Sequence, residues 1–185
     1  MIPVVVISYG HTLLADGAIK AAMAPVAAAL SPVIGSTHPY MCLMCAFWLA
    51  YLPMGMRLLL QLDFSQNPLT MFGTGSGGFL PNTAPAKTRQ NLEATNPLAA
   101  RLSGAHNNQM EGFPFFAAGV LACIQAGVDV STVTDYCLLF LCARVAFIFF
   151  YIINVNNLIG NFRTTAWFVV MMVQAKLFVL AIAAA

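Results

Sequence analysis

The chain has 185 residues, of which 60% are hydrophobic and 8% are charged, and its formal net charge is +2. A soluble domain carries about a quarter charged residues, so this chain cannot cover itself with a solvated surface. Its mean hydropathy of +0.81 indicates a protein embedded in a membrane. The small net charge and the absence of basic stripes exclude a nucleic-acid-binding protein.

Residues 1–38 form an N-terminal extension that precedes the first long apolar run. An Ala-rich segment over residues 18–30 carries Lys20 and Pro25. It is short for a membrane span, because a bilayer core about 30 Å thick needs roughly 20 mostly apolar residues. We expect an interfacial or partner-packed helix there. The first charge is Asp16, whereas a secretory signal begins with basic residues, so the pattern is not typical of such a signal.

Four later segments are long and apolar enough to span a bilayer. They cover residues 41–60, 102–126, 132–155 and 165–184. The tight connection between the second and third segments predicts Ser131 or Thr132 as the N-cap of the third helix. The sequence therefore predicts an all-α integral membrane protein with a four-helix bundle in residues 39–185.

A long polar connection, residues 63–96, separates the first two predicted spans and is rich in Gly, Pro, Asn and Thr. Its Gly-rich part lacks the Lys-Ser/Thr pair of a phosphate-binding loop, which indicates a linker. Lys87, Arg89 and Arg101 lie between the first two spans, and Arg163 lies between the last two. Four crossings place these bases on one face, which we expect to be the cytoplasmic, matrix or stromal face. The particular organelle membrane stays open.

Polar side chains also lie inside the predicted spans. In the second helix, Asn108 and Glu111 share a stripe with Arg101, and in the third, Arg144 and Tyr151 lie on one stripe. A charge within a bilayer is costly, so Arg144 should face the bundle and pair with Glu111. Two alternatives remain open, a buried ion pair that only fixes the register of the helices and a ligand site.

Cysteines and histidines do not predict a metal or redox centre. Cys42 and Cys45 have the spacing of a redox motif but lie in an apolar helix, where free cysteine behaves as a small hydrophobic residue. The three histidines have no metal-binding spacing. They are His11, His38 and His106. Lys176 in the fourth span has no evident acidic partner in the sequence.

Three motifs resemble one family. The stretch AHNNQMEGFP at residues 105–114 resembles the second-helix signature of the MAPEG family, the membrane-associated proteins in eicosanoid and glutathione metabolism. Residues 143–151 resemble its third-helix signature. Arg163 followed by Trp167 resembles the start of its fourth helix. The resemblance covers about residues 41–185, including the four-span layout.

This resemblance implies a homotrimer of four-helix protomers that binds glutathione between subunits. It implies that Asn108 and Glu111 hold the glutathione backbone. Arg144 and Tyr151 would line the same pocket. Arg163 would be the catalytic residue that stabilises the reactive thiolate.

The sequence departs from the family pattern at two of these places. Gly104 stands where the pattern has an arginine, and Phe147 stands where it has a tyrosine, although Arg101 lies one turn before Gly104 and could compensate. We therefore favour a non-catalytic accessory subunit of a larger membrane complex, whose partner subunits contact residues 1–38 and 63–96. The alternative is a glutathione S-transferase or peroxidase that acts as a homotrimer.

Overall fold

The structure is a computed structural model that describes residues 15–34, 38–60, 90 and 92–185. Over these residues it contains five long α-helices and no strand, which confirms the all-α prediction. The helices are α1 (Asp16–Ile34), α2 (Pro39–Leu59), α3 (Pro97–Gln125), α4 (Val130–Ile152) and α5 (Asn157–Ala184). The predictions for residues 1–14 and for most of the connection 63–96, including Lys87 and Arg89, lie outside the described residues.

Asparagine caps set the starts of α3 and α5, and both helices begin earlier than predicted. The Asn96 side chain accepts hydrogen bonds from the backbone of Leu98 and Ala99, and Pro97 occupies the first turn. Asn156 accepts from the backbone of Ile159 at 3.0 Å. An asparagine cap satisfies donors that the first turn of a helix leaves free, and proline fits that turn. Arg163 therefore lies within α5, not in the connection before it.

A glycine ends α3 and lets α4 return alongside it. Gly127 adopts φ 76°, the left-handed conformation that glycine takes without strain. The backbone of Val128 donates to Cys123 at 3.0 Å, and that of Gly127 donates to Ile124 at 3.2 Å. This pair of bonds is the Schellman motif, which satisfies the last carbonyls of the helix. The two helices consequently run antiparallel through a very short turn.

The N-cap of α4 is Asp129, so the prediction of Ser131 or Thr132 was wrong. The Asp129 carboxylate accepts from the Thr132 backbone at 2.9 Å and also from the hydroxyl groups of Ser131 and Thr132. A carboxylate accepts several hydrogen bonds at once and interacts favourably with the positive end of the helix dipole, which a hydroxyl group cannot match.

Helices α3 and α4 form the centre of the bundle. Each of them contacts α2 and α5, and the two contact one another. Phe116 of α3 and Phe140 of α4 stack with their ring centroids 3.6 Å apart at the middle of the core. The bundle therefore has α2 and α5 on opposite sides of the α3–α4 pair.

Three of the described helices, α2, α4 and α5, are long and apolar enough to cross a membrane. Helix α3 has 29 residues, which is ample length, but it is less apolar than the others because of its run of asparagine, glutamine and glutamate. A helix is thus present where a span was predicted over residues 102–126, but its hydropathy is lower than that of the other three helices.

The N-terminal helix α1 packs against α4 of its own chain. Met23 is 8% exposed and belongs to the common core, with Ile19 and Val26 packed beside it. One side of α1 is therefore covered by the bundle. The expectation of an interfacial or partner-packed helix stays a prediction.

Candidate functional site

The polar stripe of α3 meets the arginine of α4 inside the bundle. Arg144 is only 1% exposed, and its Nη1 donates to Oδ1 of Asn108 at 3.0 Å. Its guanidinium also lies 5.2 Å from the ring centroid of Phe140 and 5.9 Å from that of Phe147. Aromatic faces attract a cation, so these rings help to hold the buried charge.

Gly112 makes room for this arginine. A Cβ atom added at Gly112 would lie 1.8 Å from Nη2 of Arg144 and 3.0 Å from its Cζ. The guanidinium therefore lies directly against the α3 backbone, where only a glycine allows it. On the α5 side, Nε2 of Gln174 donates to the Gly112 carbonyl oxygen at 2.8 Å, and Gln174 is 1% exposed. Gly112 of α3 thus contacts side chains of both α4 and α5.

These contacts border an open cleft of about 340 Å³, which we call the Arg144 cleft. It is lined by Asn108, Glu111, Gly112 and Phe115 of α3, Arg144 of α4, and Trp167, Met171 and Gln174 of α5. Ligand pockets in proteins have about this volume and combine apolar walls with a few convergent polar groups. The cleft therefore has the size and the chemistry to hold a small polar molecule or a side chain of another subunit.

The expected ion pair between Glu111 and Arg144 does not form within the described residues. Arg144 uses Asn108 as its partner, and its buried Nε has no hydrogen-bond acceptor there. Glu111 is exposed at the edge of the cleft, near the middle of α3. The two residues do line the same cleft, so the alternative in which a neighbouring protomer supplies the partner of Glu111 stays a prediction.

A second cluster of predicted site residues lies nearer the end of α4. It consists of Arg101, Tyr151 and Arg163 together with Gly104, and we call it the Tyr151 group. The Arg163 guanidinium lies 4.9 Å from the ring centroid of Tyr151. Nε of Arg101 donates to the carbonyl oxygen of Ile152 at 3.0 Å and so caps the end of α4. None of the four lines the Arg144 cleft.

The Tyr151 side chain fills the space beside Gly104. A Cβ atom at Gly104 would lie 2.5 Å from Oη of Tyr151 and 3.1 Å from its Cζ. Phe147 packs between the Arg144 cleft and the Tyr151 group. Its ring centroid lies 5.3 Å from that of Tyr151 and 5.9 Å from Cζ of Arg144. An arginine at 104, as in the family pattern, would have to displace the tyrosine.

The structure thus divides the predicted site residues into two sets. Asn108, Glu111 and Arg144 lie together at the Arg144 cleft. Arg101, Tyr151 and Arg163 lie together at the end of the bundle where α4 ends and α5 begins. Sequence reasoning missed Gln174 as a site residue, although an amide within an apolar span is itself a signal for a polar contact.

His106 joins two helices and belongs to no metal centre among the described residues. His106 Nδ1 lies 2.8 Å from the carbonyl oxygen of Ala50, so this ring links α3 to α2. Over the described residues, no group of three His, Cys, Asp or Glu side chains is placed to hold a metal ion.

Comparison with known protein families identifies a match over most of the chain. The family model described as the MAPEG family matches residues 39–183. Comparison with curated proteins finds no match, and comparison with solved structures finds none either. The match begins after α1 and covers α2, α3, α4 and all but the last residue of α5, so it includes the residues of the Arg144 cleft and of the Tyr151 group.

Proposed function

The chain belongs to the MAPEG family, and on that premise we propose that this integral membrane protein serves as a non-catalytic accessory subunit of a larger membrane assembly. The proposal is supported by the division of the predicted glutathione residues into two separate groups. It has two further parts, which concern the fourth span and the surface that meets other subunits.

The fourth span in this proposal is α3. It packs against α2, α4 and α5, three helices with the length and hydropathy of spans. It is also joined to α4 by a turn too short to cross a bilayer on its own. A helix enclosed in this way has to traverse the same layer as its neighbours, and its polar residues are tolerated where they face the bundle or another protein surface.

The separation of Arg163 from the Arg144 cleft is the single observation that supports the non-catalytic hypothesis. A thiol becomes a good nucleophile when nearby positive charge stabilises its thiolate. Arg163 is the predicted source of that charge, but it lies over the Tyr151 ring and not at the Arg144 cleft. A ligand held by Asn108, Glu111 and Arg144 would therefore lack this cation within the same chain.

Glu111 indicates where another subunit belongs. A carboxylate exposed near the middle of a membrane helix is costly when it faces lipid. Contact with a donor from another protein chain removes this cost. We propose that the α3 surface around Glu111 contacts a second subunit, either a further copy in a homotrimer or a different protein of the assembly.

A catalytic role is the second candidate, and the Arg144 cleft favours it. The polar groups of the cleft fit glutathione. Arg144 has a buried Nε without an acceptor among the described residues, and the Glu111 carboxylate can accept hydrogen bonds from an amino group. Bound there, glutathione would supply a thiol nucleophile. In that case a neighbouring protomer would have to bring Arg163 to the thiol.

The experiment compares the two candidates directly. The full chain is purified in mild detergent, and glutathione binding is measured by calorimetry together with conjugation of 1-chloro-2,4-dinitrobenzene. The accessory role predicts no conjugation above the rate without protein, and subunits of a larger assembly that co-purify from the native membrane. Conjugation that disappears in Arg163→Ala but persists in the distant control Gly55→Ala would establish the enzyme instead.

The native membrane is a separate part of the proposal. Since the family and the apolar helices indicate an integral membrane protein without selecting an organelle, we propose a mitochondrial, plastid or endoplasmic reticulum membrane. Fractionation of native membranes with an antibody against this chain distinguishes the three.

A further inference from the structure

Lys176 has an unusual position for a lysine. It lies within α5, one of the helices with the hydropathy of a span, and its side chain is only 14% exposed. A charge at such a place is costly unless an opposite charge or a polar group accompanies it. Its partner is Asp16 at the start of α1, with Nζ of Lys176 3.2 Å from the carboxylate.

Tyr136 of α4 completes this contact. Its hydroxyl group donates to the Asp16 carboxylate, and Nζ of Lys176 lies 5.9 Å from the centroid of its ring. One carboxylate of α1 therefore binds two helices of the bundle, a phenol on α4 and an ammonium group on α5.

The apolar side of α1 docks beside this charged contact. Ile19, Met23, Val26 and Leu30 recur at the spacing of one helix face, and all four pack into the core of the bundle. The opposite side of α1, which includes Ala21, is exposed. The helix is thus bound by one apolar stripe with a carboxylate at its N-terminal end.

A second set of charges has the reverse order. Lys20, one turn after Asp16, exerts a weak attraction on Asp129 and Asp135 at the start of α4, and water screens it because Lys20 and Asp129 are exposed. Along α1 an acid precedes a base, and the bundle presents a base and then two acids. This second attraction is weaker than the contact at Asp16, which therefore sets the position of α1.

We infer that α1 is a docking helix whose Asp16 is the counter-ion of Lys176, so that the family domain of this chain depends on a segment outside it. The family match begins at residue 39, whereas Lys176 lies inside the match. The charge on α5 and the extension before α2 therefore form one structural pair. The surface of α4 and α5 around Tyr136 is the binding surface for α1.

Thermal unfolding of the full chain in detergent tests this pairing. Asp16→Asn leaves the Lys176 ammonium without its counter-ion. Because the Asp16 side chain is itself 53% exposed, we expect the melting temperature to fall by roughly 2–4 °C. Adding Lys176→Met should recover most of the loss, because the methionine has no charge to neutralise. The control is Gly17→Ala on the same helix, where a Cβ atom would meet nothing within 4 Å and the melting temperature should not fall.

The inference is overturned if Asp16→Asn melts like the control, or if the double variant is no more stable than Asp16→Asn alone. Should Asp16→Asn fail to fold, the double variant Asp16→Asn with Lys176→Met takes its place. It should fold, because no uncompensated charge remains, whereas a double variant that also fails to fold contradicts the pairing.

A release experiment measures docking itself. A protease site is placed at residues 35–37 of the full chain, and the folded protein is cleaved and passed over a size-exclusion column. The α1 fragment should remain with the bundle when Lys176 is present, and at least a tenfold larger share should be lost in Lys176→Met. Equal retention in the two proteins would show that the ion pair does not hold α1.

Discussion

Replacing Gly112 by alanine tests the geometry of the Arg144 cleft. The added Cβ atom would lie 1.8 Å from Nη2 of Arg144, a distance that no native contact shows, so the guanidinium must move. The tip of an arginine is flexible, but this one is 1% exposed and held between Asn108 and two aromatic rings. Movement therefore costs the Asn108 hydrogen bond.

The size of the effect follows from two opposing contributions. A hydrogen bond to a charged group contributes about 1.5–3 kcal/mol. Alanine in place of glycine within a helix offsets about 1 kcal/mol of that loss. The matched control is Gly55→Ala in α2, where a Cβ atom meets nothing within 4 Å and only the gain applies. Gly112→Ala should thus be about 1.5–3 kcal/mol less stable than Gly55→Ala.

The assay is thermal unfolding of both variants in the same detergent. For a chain of this length, 1 kcal/mol corresponds to about 2–4 °C, so the two melting temperatures should differ by roughly 3–12 °C. Equal melting temperatures would mean that Arg144 does not lie against the α3 backbone at Gly112, and the structure of the cleft as described would be wrong.

Three further predictions concern other parts of the chain. Gly104→Ala should lower the melting temperature more in the native protein than in a Tyr151→Phe background, because the tyrosine oxygen is the atom nearest to the new Cβ. An equal fall in melting temperature in the two proteins would contradict this contact. Asp129→Ala should lower the melting temperature by about 2–4 °C through loss of the α4 cap, whereas Asp129→Asn, which can still cap, should lose less. The hydrogen bond from Tyr136, together with the charge of Lys176, holds the pKa of Asp16 below its ordinary value of 3.8 in spite of partial burial. A carboxylate whose pKa is lowered in the folded protein stabilises the fold at pH values above its ordinary pKa. It loses this contribution as the pH falls through the pKa of the folded state. Acid unfolding below about pH 4 should therefore be less steep in Asp16→Asn than in the native protein.

Much of the fold was predictable because apolar length is a local property of the sequence. A run of about 20 apolar residues indicates a helix and a membrane span without knowledge of its neighbours. The starts of α3 and α5 were also present in the sequence, as the pair Asn96-Pro97 and as Asn156, but the predictions followed hydropathy alone. Hydropathy marks the apolar part of a helix and not its polar first turns.

The sequence by itself also determined the family and the polar residues of the site. The motif around Asn108 and Glu111 and the arginine of α4 were sufficient for this, since a charged residue within an apolar span needs a polar environment wherever it lies. Which residue provides that environment was not contained in the helical spacing. The sequence predicted Glu111 as the partner of Arg144, and the structure has Asn108.

Tertiary structure decided these pairings because side-chain contacts between helices depend on rotation and depth, and neither is encoded within one helix. Gly112 acquires its role only when the Arg144 guanidinium crosses the α3 backbone. Asp16 and Lys176 are 160 positions apart, and no motif joins them, yet they lie 3.2 Å from one another. The sequence determined which side chains needed partners, and the packing of five helices determined which partners they have.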